Sequence, residues 1–418
     1  MKIDINYIAR VEGESSVKLE IEEGKLKELR LNIWEPPRFF EGFLVGRKFD
    51  EVPDIVARIC GICPVSHMTT AIRAMENAFG LTPSPEVKRI RKILALSQIL
   101  SSHLAHLYIL ALPDFFRLNS VVEMLPHFEK DIKRFLRLKE AANSITALFG
   151  GRALHPVSMV VGGFTKVPSK ADTEKAAWEL ESLHGDALET LKMASELKCP
   201  ALENHAEFVA LKGKGEYAIN GGMISSTKGL NIKEHAYASY FIEDEVPYSN
   251  AKRTILKDRG SLMAGALSRI NLGFDNLLPD AKKASEDLGF TGGGNPFLNN
   301  LAQAVEIVHA LQECAILLRG LSLKSVKNYF ADFKVREGAG SALTEAPRGM
   351  LYHYYEIDGR GVITKANIVT PTAHNFLNLE ESLKKLVTEN IDKPEEELIL
   401  MCEMLVRAYD PCFSCSVH

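Results

Sequence analysis

The sequence is short of the features that place a chain quickly. Basic residues do not dominate: 50 lysines and arginines face 54 aspartates and glutamates, for a net charge of −4. With no basic stripe, nucleic acid is not expected as a partner. No uninterrupted apolar run reaches ~18 residues, so no membrane span is expected. The opening Met-Lys-Ile-Asp-Ile-Asn-Tyr is charged early and lacks the apolar centre of a signal peptide, which makes the cytoplasm the expected location. No Gly-x-Gly-x-x-Gly follows a strand-like run, and Gly292-Gly293-Gly294 reads as a loop, so no dinucleotide site is expected in this chain. Cysteine is sparse and odd in number, seven in 418 residues. That excludes a fully paired disulfide framework and points instead to metal binding or redox work.

What is present is a mainly helical pattern with small β pieces, an α+β chain. Val17, Leu19 and Ile21, then Leu29, Leu31 and Ile33, alternate around Gly24 and predict a strand–turn–strand unit within about residues 1–36. Residues ~51–80 suit a helical region carrying the first cysteine pair. Apolar residues from Ile90 to Leu110 recur at helical spacing over about 86–112, long enough for the spine of a helix bundle. Further helices are expected near ~127–149, ~172–196, ~274–288, ~298–322 and ~394–408. Short β-like runs fall between ~206 and 256, and Asp358-Gly359-Arg360-Gly361 reads as a hairpin turn in a patch from Tyr352 to Val369. No repeat or low-complexity linker appears. One interwoven unit, 1–418, is expected: an N-terminal β unit, a helical core over about 51–330 and a C-terminal segment over about 331–418.

Four of the seven cysteines form two Cys-x-x-Cys pairs. The first lies in Arg58-Ile59-Cys60-Gly61-Ile62-Cys63-Pro64-Val65-Ser66-His67, the second in Asp410-Pro411-Cys412-Phe413-Ser414-Cys415-Ser416-Val417-His418. Two intervening residues put both sulfurs on one side of a turn, so each pair can offer two thiolates to one ion. Four thiolates suit a soft metal: zinc, an iron–sulfur centre, or nickel with iron. Structural zinc sites bring their pairs from nearer in sequence, and here almost the whole chain intervenes. Spacing alone leaves structural zinc and a functional metal about equally weighted. Cys199, Cys314 and Cys402 are scattered and read as buried thiols. His103 and His106, at i and i+3 on the long helix, read as satisfied core histidines rather than ligands.

The residues around the cysteines decide between the two. Arg-Ile-Cys-Gly-Ile-Cys-x-x-x-His near the start and Asp-Pro-Cys-x-x-Cys-x-x-His at the end resemble the signature motifs of nickel–iron hydrogenase large subunits. Arg10-Val11-Glu12-Gly13, Ser102-His103-Leu104-Ala105-His106 with Leu112-Pro113-Asp114, Gly150-Gly151-Arg152, Glu345-Ala346-Pro347-Arg348-Gly349 and Pro371-Thr372-Ala373-His374-Asn375 resemble further blocks of that family, in its order. The resemblance covers nearly the whole chain.

That resemblance implies a fold in which both ends converge on the metal site, and reversible heterolytic cleavage of dihydrogen to protons and electrons. It implies that Cys60, Cys63, Cys412 and Cys415 hold nickel, with Cys63 and Cys415 bridging to an iron that carries carbon monoxide and two cyanides. The base is implied to be a thiolate of Cys412 or Cys415, or the guanidine of Arg348; the second is chemically hard because arginine stays protonated. Arg348 is expected mainly to hydrogen-bond a cyanide, with Asp114 and Asp410 fixing it, Pro347 shaping the same roof and Thr372 donating to the other cyanide. Glu12 resembles the first proton relay, and His67, one helical turn beyond Cys63, a donor to the bridging sulfur. His418, Glu41 and the carbonyl of Ile368 resemble the ligands of a separate magnesium or iron ion. In the family a C-terminal extension is removed after such a histidine.

The chain has no further cysteine clusters for wiring electrons, so a small subunit with iron–sulfur clusters is implied as partner. The motifs resemble those of cytosolic multimeric members that couple to NAD(P) or, by bifurcation, also to ferredoxin, so diaphorase-like subunits carrying flavin and NAD(P) are implied as well. Two other classes remain: a regulatory subunit that senses dihydrogen, and a zinc-stapled structural subunit.

Overall fold

A computed structural model describes residues 2–322 and 329–418. Three antiparallel strands open the chain: β1 (Lys2–Ile5), β2 (Ser15–Glu22) and β3 (Lys25–Ile33), in that order across the sheet. Val17, Leu19, Leu31 and Ile33 bury one face, as alternation requires. Glu23 and Gly24 both take positive φ, 50° and 70°, the backbone that matches a two-residue hairpin to strand twist.

The first cysteine pair does not ride on a helix as expected. A short helix, Val52–Val56, runs into a tight turn, Ala57–Ile59, and Cys60 is extended. A new helix, α1 (Pro64–Phe79), starts just after Cys63. Pro64 is the reason: it cannot continue a helix, it disfavours helical backbone in the residue before it, and it fits a first helical position. The pair therefore lies in the break, with its backbone free to face the sulfurs.

The spine is α2 (Pro85–Ala105), capped by Ser84, whose hydroxyl accepts from Val87 N at 3.3 Å. It continues through a wider-wound stretch, His106–Ala111, to Leu112–Phe115. It packs against α3 (Glu129–Gly150) and, farther along the chain, α5 (Asn299–Arg319); α4 (Ala266–Gly273) lies against α5. Among the described residues two helices, Pro85–Phe115 and Pro296–Arg319, are long and apolar enough to cross a membrane, but 78% and 72% of their apolar windows are buried inside the molecule. They are core helices. The helix expected over ~172–196 is two, Lys170–Ser182 and His184–Ser195.

A second antiparallel sheet, β4 (Gly338–Ala346), β5 (Gly349–Ile357) and β6 (Ile363–Val369), lies on α1. Two helices follow, α6 (Pro371–Glu389) and α7 (Glu395–Ala408). The last residues return to the N-terminal region: Phe413 N donates to Glu12 O at 2.8 Å and Arg38 N to Val417 O at 2.7 Å. One connected core runs from Ile3 to Val417.

Candidate metal centre

That return brings the two cysteine pairs together. Cys60 Sγ lies 3.6 Å from Cys412 Sγ. The donor atoms of Cys60, Cys412 and Cys415 lie within 4.8 Å of one another, as do those of Cys63, His67 and Cys415. All four cysteines are at most 4% exposed. Cys412 and Cys415 are joined as a disulfide. A metal ligand must be a thiolate, so holding an ion requires that pair in its reduced form.

The first pair is prepared for ionisation. The amides of Ile62 and Cys63 both donate to Cys60 Sγ at 3.3 Å. Its hydrogen bond with Cys63, and then the charge of Arg348, lower the Cys60 thiol from 9.0 to about 7, while Cys63 is pushed up by sharing that bond. One thiol of the two gives up its proton readily, and the donated amides steady the charge it leaves.

Above the sulfurs sits Arg348, 4% exposed, its Nε 3.0 Å from Asp410 Oδ1. Burial alone would lower its pKa, but Asp410, Cys60 and Cys63 raise it, so the guanidinium is a fixed positive charge. Asp410 sits at φ 48° and receives Gln303 Nε2 on its other oxygen at 3.1 Å. Asp114 does not reach Arg348, contrary to the expectation that both acids hold it. Its oxygens receive Arg407 at 2.6 and 2.8 Å, and Arg10 closes the same carboxylate. Arg407, in the last turn of α7, meets Asp114 across the core, leaving Asp410 as the carboxylate that pairs with Arg348. Pro347 lies in the chain just before the arginine, and its carbonyl accepts from Arg269 Nη2 at 2.9 Å.

The other expected residues gather here too. Glu12 Oε2 is 2.8 Å from Cys412 Sγ. In the reduced form that metal binding requires, 2.8 Å is a proton-exchange distance. Thr372 Oγ1 accepts from Cys412 N at 2.8 Å, which leaves its own proton free to donate elsewhere. His67 Nδ1 lies 3.2 Å from His353 Nε2. At the C-terminus, His418 Nε2 is 2.6 Å from Ile368 O and 3.9 Å from Glu41 Oε1, and Glu41 Oε1 accepts from Ile368 N at 2.7 Å. The imidazole, carboxylate and carbonyl converge, a set suited to a hard divalent cation.

The residues fit a metal group larger than one closed ion. Two polar atoms of this neighbourhood, Arg348 Nη1 and His67 Nε2, are buried without a hydrogen-bond partner, and buried donors are rarely left so. His103 and His106 do bond within the protein, to Glu306 at 2.7 Å and Gln303 at 2.5 Å. Sequence reading missed the support behind the roof, Arg269, Gln303, Glu306 and His353. A signal existed for part of it: Asn299, Gln303 and Glu306 stand at i, i+4 and i+7 on one face of α5.

Fold and site define a class: a protein that clasps a soft-metal centre in sulfur between its own two ends. A family model for nickel-dependent hydrogenases matches residues 38–134 and 302–418. The chain is 36% identical to the alpha chain of sulfhydrogenase 1 from Pyrococcus furiosus, over 100% of this chain and 98% of that one. It is 30% identical to a subunit of the F420-non-reducing hydrogenase of Methanothermobacter marburgensis, over 100% and 95%. The fold is similar to that of an NAD+-reducing [NiFe]-hydrogenase in its H2-reduced state, with a TM-score of 0.89 at 23% identity over 100% and 99% of the two chains. The chain belongs to the nickel-dependent hydrogenase family, as its catalytic large subunit.

Proposed function

We propose that this chain cleaves dihydrogen heterolytically at a nickel–iron pair held by Cys60, Cys63, Cys412 and Cys415, and that protons leave through Cys412 and Glu12. The observation that carries this is the Glu12 carboxylate 2.8 Å from Cys412 Sγ, at the rim of the four converging sulfurs. When bound, the metal pair supplies the Lewis acidity that polarises dihydrogen. The chain does the rest. Thiolate sulfur takes the proton, and Glu12, half-buried, passes it outward. Arg348 and Thr372 would donate to cyanide ligands of the bound iron, with carbon monoxide as its third small ligand, and Asp410 with Pro347 would keep the arginine aimed. Asp114, held by Arg407 and Arg10, braces the wall beside them. His67, whose Nε2 has no partner, would donate to the sulfur of Cys63 or Cys415 that bridges the two metals when they are bound. Glu41, Ile368 O and His418 hold a magnesium or iron(II) ion that pins the C-terminus.

Electrons pass to a small subunit with iron–sulfur clusters. The relatives are each named as one subunit of a hydrogenase, which supports such an assembly. Diaphorase-like partners with flavin and NAD(P), and passage on to NAD(P) or ferredoxin in the cytoplasm, complete the reading; the NAD+-reducing structural neighbour supports the first. Residues 1–418 work as one interwoven unit.

Elemental analysis with infrared spectroscopy of the purified complex tests this. The expected result is nickel and iron with carbon monoxide and cyanide bands, and dihydrogen-dependent reduction of a viologen dye. Zinc without nickel overturns it. Metals and bands with only trace viologen reduction would make this chain a sensor instead.

A further inference from the structure

Arg348 is not aimed by its side-chain contacts alone. Asp410 takes Nε, and Nη1 has no partner. The backbone that carries it is gripped from behind by Arg269 of α4, itself 2% exposed. Nε and Nη2 of Arg269 donate to the two oxygens of Glu306 at 2.6 and 2.7 Å. Nη1 donates to Glu345 Oε2 and to Ala346 O, both at 3.0 Å, and Nη2 donates again to Pro347 O at 2.9 Å. Every N–H of the planar group is thereby used.

We propose that Arg269 is the positioning residue for the Arg348 guanidinium, acting through the carbonyls of Ala346 and Pro347. This rests on the function proposed above. Those two carbonyls are the last before Arg348, so fixing both removes the peptide rotations that would swing its Cα–Cβ bond. Glu306 completes the grip: besides Arg269 it receives Tyr217 OH at 2.5 Å and His103 Nε2 at 2.7 Å, which immobilise it. Closeness on the other side removes the remaining slack. A Cβ on Gly265 would lie 3.3 Å from Arg348 O, and one on Gly349 2.8 Å from Gly265 N. A buried guanidinium between two carboxylates is an expensive way to gain stability, since apolar replacements often do as well. Its geometric return here is two adjacent peptides locked in one orientation.

The test is Arg269→Lys in the assembled enzyme. Lysine keeps the charge opposite Glu306 and loses the planar fork. Expected are wild-type nickel content, a shifted cyanide stretch, and kcat per nickel lower by on the order of 10²-fold with KM for dihydrogen unchanged. A residue that only stabilises the fold would lower the melting temperature and metal yield, yet leave the bands and the per-nickel kcat of the loaded fraction alone; that result overturns the proposal. Glu306→Asp covers the case in which Arg269→Lys does not assemble. It keeps both charges but draws the anchor back by one methylene, so the same band must shift and kcat must fall, though less. Wild-type bands and kcat there also overturn it. Failure of the underlying reading looks different, because the unmodified enzyme would then show no cyanide bands.

Discussion

At the scale of single residues, the distances separate charge placement from proton transfer. Arg348 is a fixed cation, so its part is to hold charge and aim donors. Arg348→Lys keeps the positive charge beside Cys60 and Asp410 but not the fixed fork. Nickel content should be retained while turnover per nickel falls by roughly 10²–10³-fold, as when one preorganised donor is lost; equal turnover in the variant would end its assigned part. Glu12 makes the opposite case. Glu12→Gln preserves shape and removes the group that can alternate between acid and base, so turnover should drop by about 10²–10⁴-fold. Infrared bands of the iron ligands should stay in place, because no donor to them has moved. The Asp114 result marks what residue types alone leave open. Both acids stood in the right motifs, but Arg407, one turn before Asp410, reaches Asp114 first, and only folding decides which arginine a carboxylate meets.

At the scale of elements, legibility followed periodicity. The strand pair around Gly24 and the helices at 85–105, 129–150, 299–319 and 395–408 stand close to where alternation or helical spacing put them. Helix α6 is not among the helices expected from the sequence, although Phe376, Leu379, Leu383 and Leu386 recur at helical spacing and all are buried. Strand β4 was unreadable for a different reason. Gly338, Gly340 and Ala342 have little strand preference, and they stand there because α1 presses on them. A Cβ on Gly340 would lie 2.1 Å from Ala74 O and 2.5 Å from Ala78 N. Gly340→Ala must therefore push α1, which starts just after Cys63, off the sheet. The expected loss is about 1–3 kcal/mol in denaturant unfolding, and an unchanged midpoint would show that the contact is slack. Part of the site was legible because its residues are chemically rare. Four clustered cysteines stand out, whereas a supporting arginine such as Arg269 looks like any other.

At the scale of the whole molecule, one property follows from how much polar machinery is enclosed. His67, His103, His353 and His374 are at most 2% exposed, and burial is the first cause lowering each of their pKa values, to about 3 for His67 and about 4 for His374. The hydrogen bonds of His374 can be made by a neutral ring: Nδ1 can donate to Thr370 O at 2.9 Å, and Nε2 can accept from Tyr237 OH at 2.7 Å. The unfolded chain takes up a proton at each such histidine near pH 6.5, and the folded chain does not until lower pH. Stability from this source is thus complete above about 6.5 and is lost as pH falls, by about 1.4 kcal/mol per pH unit for each histidine. For His374 the window runs from 6.5 down to about 4, a total of roughly 3 kcal/mol. His374→Gln keeps a polar side chain and removes the titration. Its unfolding free energy should start lower than that of the parent at about pH 7.5, and the gap should narrow between about pH 6.5 and 4 by that amount. Denaturant unfolding at a series of pH values reads this directly. A gap that stays constant with pH would mean that His374 gains its proton at the same pH folded and unfolded, and burial would not be holding its ring neutral.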